Sequence, residues 1–337
     1  MIKNKLIIDS SQNKQLLQKE LDIFFKHLNI MVKTKPYLVV IVLHEYLRNL
    51  YPDDTFLKFS ENNHKKRITK VLKQLIKFVK ISNKIKTYNI KFEKELIHKN
   101  LIEKNDLVFS KTFLAHENKN HNKKYINNLK NLGLNKRYFK DKFILDAGTG
   151  AGRHAKIFSS LSARKIIAVD NKLTIKKNLN EPKIKNVIYK EGNVLNLKFK
   201  KSVFDFINCY GVLHHTSSID KGIQELLRVL KKGGYLLLYI YGKGGIYWKS
   251  RKEMNKIFRK IPQNYTKKIF EMINVPKERF IFEDCWYAPI ETYTYKKNLE
   301  KMFISHKIDS FKKLINKTFD KNKNIWGDGE LVYLIKK

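Results

Sequence analysis

The stretch Phe143-Ile-Leu-Asp-Ala-Gly-Thr-Gly-Ala-Gly-Arg153 is the strongest indication of the fold of this 337-residue chain. Its apolar first part is typical of a buried strand that ends at Asp146, and glycines follow at 148, 150 and 152. A helical pattern begins directly after them. Glycines at such a turn let a ligand approach the backbone closely, and the first amide groups of a helix attract an anionic group. We therefore expect a strand–turn–helix unit that binds a ligand at its turn.

Downstream of this turn, short apolar runs alternate with helical patterns. The predicted strands are 142–146, 165–170, 187–189, 204–210, 235–241 and 331–335, and the predicted helices between them are 151–161, 173–179 and 219–230. Strands that alternate with helices form βαβ units and a mainly parallel sheet. The sequence thus predicts an α/β fold.

The spacing of the glycines separates two kinds of nucleotide ligand. A dinucleotide fingerprint is G-x-G-x-x-G, and here Arg153 occupies its third glycine position. A bulky arginine fits poorly against a helix that binds a pyrophosphate. The pattern instead resembles the first motif of class I S-adenosylmethionine-dependent methyltransferases, in which a strand ends in Asp and G-x-G-x-G follows. The resemblance implies a Rossmann-like, doubly wound, mainly parallel seven-stranded sheet and S-adenosylmethionine as the cofactor.

Four further motifs follow in the order that this family shows. Asp170 stands at the tip of the second strand, where a carboxylate accepts hydrogen bonds from the ribose hydroxyls of either kind of ligand. Glu191-Gly-Asn-Val194 follows the third strand, and it has Asn193 where the family usually has an acidic residue; the side-chain oxygen can still accept from the adenine amine. The stretch 204–216 resembles the subgroup with Gly-Val-Leu-His-His after strand four, and 227–236 resembles the family's helix-to-strand turn.

The resemblance implies a cofactor site and a pair of candidate bases. His214 and His215 are the nearest titratable groups, and an imidazole titrates near neutrality; the alternative is that at least one of them shapes the turn. His215 is the better candidate base, because a turn residue farther from the strand is freer to point at substrate. The expected cofactor-binding residues are Asp146, Gly148, Thr149, Gly150, Gly152, Asp170, Asn171, Asn193, Val194, Tyr210 and Gly211.

The two cysteines, Cys209 and Cys285, exclude a disulfide framework and a cysteine-rich metal site, and no metal is expected. Cys209 lies in a predicted strand and is expected to be a small buried residue. Methyl transfer needs no covalent enzyme intermediate, so the sequence predicts no nucleophilic role for it.

The chain is predicted to consist of a helical N-terminal region at 1–120 and a methyltransferase domain at 121–337. Apolar residues recur at helical spacing in the first region, which carries no chemical motif. A polar stretch at 116–124 indicates a loop or linker. Residues 242–292 interrupt the alternation and are predicted to be an insertion or lid over the active edge of the sheet. There, Trp286-Tyr287 could form an apolar substrate wall or pack in a core.

The formal net charge of +39 comes from 70 Lys and Arg against 31 Asp and Glu. A protein this basic attracts polyanions such as RNA or a membrane surface at low salt. Only nine of the 70 are Arg, the side chain best suited to phosphate, and the excess is spread over both halves of the chain. A biased composition with a solvated surface therefore stays open beside a polyanion-binding role.

The apolar run Tyr37–Leu43 is far shorter than the roughly 20 residues that span a bilayer. No signal segment is apparent at the start of the sequence. We therefore expect no transmembrane segment and a cytoplasmic protein.

Three functions remain open at this stage. The Gly-Val-Leu-His-His subgroup mostly resembles methyltransferases of small or lipid-like metabolites, which favours such an acceptor. An RNA or protein methyltransferase would use the basic surface, and a non-catalytic adaptor would bind the cofactor without reaction. Amino-methylating DNA enzymes usually carry Asn/Asp-Pro-Pro-aromatic at the fourth strand, where this chain has Asn208-Cys-Tyr-Gly211. The sequence indicates neither the acceptor atom nor the oligomeric state.

Overall fold

The computed structural model describes residues 2–50, 61–85, 101–111, 119–275, 286–308, 310–315, 320 and 323–337. The chain divides into two compact units. The first consists of Met1–Ile97, Gly244–Tyr287 and Thr318–Gly327, and the second of His98–Lys243, Ala288–Lys317 and Asp328–Lys337. Each unit is thus assembled from segments that are far apart in the sequence.

The boundaries of these units differ from the predicted domain boundaries. Residues 98–120 of the predicted N-terminal region belong to the second unit, and 244–287 of the predicted insertion belong to the first. Spatial contacts rather than chain order define a unit, and no local pattern reveals which distant segments will pack together. The lid role of 242–292 stays a prediction.

The helices and strands follow one another along the chain as follows. The helices are α1 (Ile2–Met31), α2 (Pro36–Leu50), α3 (Glu61–Lys84), α4 (Leu101–Lys111), α5 (Lys119–Asn131), α6 (Lys136–Phe139), α7 (Arg153–Ser160), α8 (Lys172–Asn178), α9 (Ile219–Val229), α10 (Gly245–Phe258), α11 (Gln263–Met272), α12 (Lys296–Ser305) and α13 (Lys323–Trp326). The strands are β1 (Phe143–Ala147), β2 (Lys165–Asp170), β3 (Val187–Glu191), β4 (Phe204–Tyr210), β5 (Leu230–Tyr241), β6 (Ser310–Lys313) and β7 (Glu330–Lys336).

The first unit is helical in its described residues. Apolar residues recur at helical spacing on α1, and Leu21, Phe24 and Leu28 are completely buried. The buried Lys35 donates from Nζ to the carbonyls of Ser82 and Ile85. This cation satisfies acceptors at the C-terminal end of α3, where backbone carbonyls lack helical partners.

The seven strands of the described residues form one sheet in the second unit, in the order β3-β2-β1-β4-β5-β7-β6. The strands from β3 to β5 are parallel, and β7 is antiparallel to both β5 and β6. From β1 the chain adds β2 and β3 on one side of the sheet and then β4 and β5 on the other, so the strand order reverses between the parallel strands β1 and β4. Open α/β sheets bind ligands at the carboxyl ends of strands at such a switch point. The predicted Rossmann-like, mainly parallel seven-stranded sheet with a helical N-terminal region is confirmed.

Both faces of the sheet are covered by apolar clusters. Neighbouring residues of β1 belong to different clusters, Ile144 to one and Leu145 to the other, as the two-residue period of a strand requires. Leu236 and Leu237 of β5 divide in the same way. Because strands covered on both faces need apolar residues at every position, β5 is apolar almost throughout its second half.

Some element boundaries differ from the prediction. β5 begins at Leu230 and not at Tyr235, since Leu230 already pairs with Phe204 across an irregularity in the register of β4. The amphipathic stretch over 254–273 is divided between two helices, α10 and α11, because Pro262 occupies the N-cap of the second.

One further segment was wrongly predicted, and one strand was missed. The polar stretch at 116–124 is helical from Lys119 onwards, because it forms the first turns of α5, whose apolar residues lie later. β6 has no sequence signal, since its Ser310-Phe-Lys-Lys313 is short and rich in lysine, and only pairing with β7 makes it a strand.

No helix among the described ranges is long and apolar enough to cross a membrane.

Candidate active site

The predicted site residues of the second unit gather at the carboxyl ends of β1, β2 and β4. β1 lies between the other two strands, and Asp146 pairs in register with Ala168 on one side and Asn208 on the other. Asp170 ends β2 and Tyr210 ends β4. The topology therefore brings these polar side chains to one edge of the sheet.

Glycines shape the turn that follows β1. Gly148, Gly150 and Gly152 have φ angles of +78°, +53° and +73°, a region that residues with a Cβ rarely adopt. The amides of Gly148 and Thr149 donate to the carbonyl of Val169 at 2.8 and 3.0 Å. These bonds fix the turn to β2.

The three glycines differ in how much space a side chain would have. A Cβ on Gly148 would collide with the Val212 side chain, and a Cβ on Gly152 with the Tyr189 hydroxyl. A Cβ on Gly150 would meet nothing within 4 Å. The turn is therefore packed on two sides and open at Gly150, where a ligand can reach the backbone.

Asp146 is fully buried, and its carboxylate is held by protein donors. Thr149 Oγ1 donates to it at 2.6 Å and Asn208 Nδ2 at 2.7 Å. The backbone N–H of Ala155, in the first turn of α7, also donates. Burial raises the pKa of Asp146, and these hydrogen bonds oppose the rise. The carboxylate thus ties β1, the glycine turn and the start of α7 together.

Asn208 extends this network to two aromatic residues. Its Nδ2 also donates to His154 Nδ1 at 3.3 Å, and the Tyr125 hydroxyl donates to its Oδ1 at 2.8 Å. The rings of Tyr125 and His154 stack with centroids 4.1 Å apart. No sequence motif marks Tyr125, because a single tyrosine on the Lys- and Asn-rich α5 carries no signal for its tertiary partners.

Asp170 is oriented by its neighbours but keeps capacity for a ligand. Oδ2 accepts from the Gly150 amide at 2.8 Å, and Oδ1 accepts from the backbone and side-chain nitrogens of Asn171 at 2.8 and 3.0 Å. Asn171 is also the N-cap of α8, since its Oδ1 accepts from the Thr174 amide. A carboxylate has about four acceptor positions, so Oδ2 retains one for an incoming hydroxyl group.

Asp106 of α4 is a second carboxylate near Asp170, and no sequence pattern identified it. Burial, followed by the nearby charge of Asp170, raises the pKa of Asp106 to about 6. Burial also raises the pKa of Asp170 to about 6. The hydrogen bonds from Gly150 and Asn171 oppose this rise, and the charge of Asp146 adds to it. Asp106 precedes the motif region in the chain, so only the packing of α4 reveals it.

The predicted adenine contacts lie in the turn after β3. The Asn193 side chain is exposed, and its Oδ1 accepts from the Leu195 amide at 2.8 Å. A carbonyl oxygen has two lone pairs, so one acceptor position remains. Val194 is buried within an apolar cluster of the sheet. Adenine recognition by these two residues stays a prediction.

Aromatic rings surround the end of β4. The Tyr210 ring lies 5.3 Å from Tyr125 and 4.8 Å from Tyr239, measured between centroids. Burial raises the pKa of Tyr210, whose hydroxyl hydrogen-bonds Asn128. Gly211 follows with a φ of +84°, and a Cβ there would be in ordinary contact with the Tyr239 ring. The end of β4 is therefore walled by tyrosines.

His214 and His215 form a tight turn after β4, and both side chains are buried. His214 Nδ1 accepts from the Tyr241 amide at 3.3 Å, and the two rings stack at 3.4 Å. His215 Nδ1 donates to the carbonyl of Ile290 at 2.9 Å. Its ring also packs 4.7 Å from Phe109 of α4. These contacts give both imidazoles a role in shaping the turn, so His215 is not the freer side chain expected; a base role for either stays a prediction.

Other residues singled out in the sequence have structural surroundings. Cys209 is fully buried, and burial raises the pKa of its thiol, which disfavours the reactive thiolate; Cys285 lies outside the described residues. Within the first unit, the buried Trp286 stacks on Phe258 at 4.6 Å, and the Tyr287 hydroxyl hydrogen-bonds Thr266. No cluster of metal-ligating side chains occurs among the residues that the structure describes.

Residues 145–238, which hold the glycine turn, Asp170 and the two histidines, match a protein family described as "Methyltransferase domain". This segment is a methyltransferase domain. Its cofactor is S-adenosylmethionine, and its Rossmann-like sheet is that of class I enzymes.

Two curated proteins are similar to about a third of this chain. An uncharacterized methyltransferase of Bacillus subtilis is 34% identical over 99 residues, which cover 28% of this chain and 39% of the relative. The ubiquinone/menaquinone biosynthesis C-methyltransferase of Wigglesworthia glossinidia brevipalpis is 34% identical over 111 residues, or 31% of this chain and 44% of the relative. The chain thus spans less than half the length of both.

Two further matches cover more of this chain at lower sequence identity. A malonyl-[acyl-carrier protein] O-methyltransferase of Buchnera aphidicola is 28% identical over 179 residues, which cover 51% of this chain and 64% of the relative. The crystal structure of the YcgJ protein of Bacillus subtilis covers 63% of this chain and 98% of its own, at 17% identity and a TM-score of 0.40. A likeness of that size decides nothing about function.

The residues at the edge of the sheet fit S-adenosylmethionine. The open space at Gly150 admits a ligand to the backbone of the turn. Asp170 keeps an acceptor position beside this space, because its Oδ2 is bonded to the Gly150 amide. An open glycine turn next to a strand-end carboxylate is the donor and acceptor set that a nucleoside with a charged tail requires.

Proposed function

We propose that the protein transfers a methyl group from S-adenosylmethionine to a small-molecule or lipid-like acceptor. The observation that carries the proposal is the edge formed by Gly150, Asp170 and the tyrosines at the end of β4. Gly150 and Asp170 serve the nucleoside, and the aromatic side chains suit an apolar or aromatic acceptor.

The aromatic wall supports this acceptor class. It continues from Tyr210 through Tyr239 to His214, whose ring lies 5.9 Å from Tyr239, and on to the stacked Tyr241. Tyr293 stacks on Tyr241 at 6.2 Å. Sites for small molecules are mostly apolar and aromatic with few polar groups, whereas a site for RNA needs an accessible basic surface.

Two relatives point to the same acceptor class. One is named for ubiquinone/menaquinone biosynthesis and the other for a malonyl group on acyl-carrier protein. The Gly211-Val-Leu-His-His215 turn adds the subgroup resemblance, which also favours small or lipid-like metabolites. We place the chain in that subgroup as part of the proposal.

Each part of the site has a role in the proposed reaction. When bound, S-adenosylmethionine supplies an electrophilic methyl group for in-line displacement. The glycine turn binds the amino-acid end through its amides, and Asp146 keeps the turn in place. Asp170 accepts from ribose hydroxyls, and Asn193 from the adenine amine. Tyr210 and Gly211 border the reacting centre, where positioning the acceptor supplies most of the rate.

A general base is required only if the acceptor atom carries a proton. In the proposal His215 is the first candidate, because donation from Nδ1 to the Ile290 carbonyl leaves Nε2 as the basic nitrogen. His214 stabilises the turn by stacking its ring on that of Tyr241. The hydrogen bond to a backbone carbonyl fixes both the orientation of the imidazole ring and the nitrogen that carries the proton.

Label transfer tests the acceptor class. The intact protein is incubated with S-adenosylmethionine tritiated in its methyl group and with a cell extract separated into lipid, small-molecule, protein and RNA fractions. We expect label in the lipid or small-molecule fraction. Label in RNA or protein would replace the proposed acceptor, and binding of cofactor without transfer to any fraction would favour a non-catalytic adaptor.

A further inference from the structure

The exposed face of α3 carries a continuous row of lysines, called here the lysine ridge. Its members are spaced by four and three residues in turn, and each side chain is exposed. At 100° per residue they fall within about 80° of one another and extend over about 27 Å. The ridge consists of Lys66, Lys70, Lys73, Lys77, Lys80 and Lys84.

Little negative charge balances the ridge. α3 contains no acidic residue after Glu61, and none of the six lysines forms an ion pair with a residue of the described ranges. Glu20 and His27 of α1 line the groove beside four of the lysines. Lys80 and Lys26 contribute to lowering the pKa of His27, after burial. Like charges three and four residues apart destabilise a helix, so the aligned ridge costs the isolated protein stability.

An exposed apolar stripe runs beside the lysine ridge. The exposed fractions of Phe78, Ile81 and Ile85 are 46%, 55% and 61%. Their spacing places Phe78 and Ile81 on the flank of the ridge, on the same solvent-facing side of α3, and Ile85 directly follows the last residue of this helix. The opposite side of the helix is buried through Ile68 and Leu72. The stripe is therefore additional to the core-facing side of this helix.

We propose that this side of α3 docks on an anionic membrane surface. The lysines of the ridge would contact lipid phosphates, and Phe78, Ile81 and Ile85 would enter the boundary between headgroups and acyl chains. Charge and apolar surface lie side by side, as binding at a membrane interface requires. The inference concerns the first unit alone and is independent of the acceptor of methyl transfer.

The apolar stripe distinguishes a membrane from RNA. A row of lysines alone serves any polyanion, because phosphate contacts carry most of such affinity. Single-stranded RNA adds stacking on aromatic rings, but Ile81 and Ile85 offer no ring and no hydrogen bond. Exposed aliphatic side chains gain free energy only by leaving water, which a lipid interface allows.

Vesicle co-sedimentation of the full chain tests the docking surface. The probes are vesicles of phosphatidylcholine alone and vesicles that also contain phosphatidylglycerol. We expect binding to the anionic vesicles only. Each basic side chain near an anionic surface raises partitioning roughly fivefold, so Lys73→Gln, Lys77→Gln and Lys80→Gln together should weaken it about a hundredfold. The matched control is Lys198→Gln, Lys200→Gln and Lys201→Gln, which removes equal charge from exposed positions of the second unit.

A second variant separates lipid from other polyanions. Phe78→Ser with Ile81→Ser keeps the lysine ridge, and we expect it to weaken vesicle binding about tenfold or more while binding of single-stranded RNA stays unchanged. Circular dichroism and S-adenosylhomocysteine binding verify that each variant is folded. Equal loss in the control triple variant, full vesicle binding by the serine variant, or binding to RNA without binding to vesicles would overturn the proposal.

Discussion

Asp146 and Asp170 lie at the carboxyl ends of neighbouring strands, but their hydrogen bonds give them different roles. The carboxylate of Asp146 is buried and engaged by Thr149, Asn208 and the Ala155 amide. The carboxylate of Asp170 is held by the next residue and by Gly150, with an acceptor position left. Asp146 therefore acts on the shape of the turn, and Asp170 is the carboxylate able to receive a ligand.

Asp170→Asn should weaken binding of S-adenosylmethionine and S-adenosylhomocysteine by roughly ten- to a hundredfold. The amide cannot accept at both positions, and hydrogen bonds to a charged group contribute about 1.5–3 kcal/mol. Isothermal titration calorimetry measures the change. Asp141→Asn is the control, since Asp141 is exposed and its positive φ of 61° suits asparagine equally. Equal affinities for the Asp170 variant and the wild type would remove Asp170 from the site.

Binding of S-adenosylhomocysteine should strengthen as the pH rises from about 5 to about 7. The pKa of Asp170 is raised to about 6, mainly by burial, and the ionised form accepts from ribose hydroxyls. One linked proton changes affinity by at most about tenfold per pH unit. The charge of Asp146 on β1 contributes to the raised pKa of Asp170, and the charge of Asp170 in turn contributes to the raised pKa of Asp106 on α4.

The stability of the unliganded protein should change in the opposite direction over part of this range. The folded state holds the proton of Asp170 more tightly than the unfolded chain, so the raised pKa makes the fold lose stability as pH rises from about 4 to about 6.

Asp106→Asn removes a neighbouring negative charge and should shift the midpoint of the pH dependence of S-adenosylhomocysteine binding to lower pH. An affinity that stays flat from pH 5 to 7 would contradict this assignment.

Site residues within the motifs could be predicted from the sequence, but those from other elements could not. The glycines and Asp170 are local to one βα unit, so their spacing identifies them. Asp106 and Tyr125 come from helices whose sequences only show an amphipathic pattern. The burial of His215 was equally hidden, because its partner is the carbonyl of Ile290, far along the chain.

The turn between β1 and α7 depends on the absence of a side chain at Gly148. Gly148→Ala would impose a left-handed conformation on alanine and would drive its Cβ into Val212. We expect a loss of stability well beyond the about 1–2 kcal/mol of a left-handed residue alone, together with loss of cofactor binding. Urea unfolding and calorimetry measure the two effects.

Gly133→Ala provides the control for the turn. Gly133 has a φ of +81°, but its Cβ would meet nothing within 4 Å, so it carries the backbone strain without the collision. Adding Val212→Ala to Gly148→Ala should restore part of the lost stability. Equal effects of the two glycine substitutions would show that Val212 does not limit the turn.

The attachment of α5 to the sheet depends on one buried hydrogen bond. Tyr125→Phe removes the donor to Asn208 Oδ1 and should lower the free energy of unfolding by about 1–3 kcal/mol, since a buried acceptor loses its partner. Tyr138→Phe on α6 is the control, because the Tyr138 hydroxyl makes no hydrogen bond to a described residue. Urea unfolding of both variants tests the difference, and equal losses would contradict the role of the network.

Elements with a clear period could be predicted closely, and those that depend on partners could not. β4 and α9 have nearly the predicted bounds, because an apolar run and a capped amphipathic pattern identify them. β6 exists only through its pairing with β7. α5 begins in a polar stretch whose helical state depends on burial of Tyr125 and Leu129 further along.

The order of segments along the chain differs from their grouping in space. The parallel part of the sheet could be predicted because its strands carry one series of motifs, and the strand order places these motifs at one edge. The grouping of Gly244–Tyr287 with the N-terminal helices could not, because it rests on contacts between distant apolar faces. The net charge of +39 also has local structure, since part of it forms the lysine ridge on α3.

The methyltransferase domain is expected to bind its cofactor at the edge of the sheet. Titration of the intact, folded protein with S-adenosylhomocysteine in a calorimeter tests this most directly, because this product analogue cannot turn over. We expect saturable binding at one site per chain and a matching rise in the melting temperature. Absence of both heat and thermal stabilisation, with S-adenosylmethionine as well, would show that the domain does not bind this cofactor.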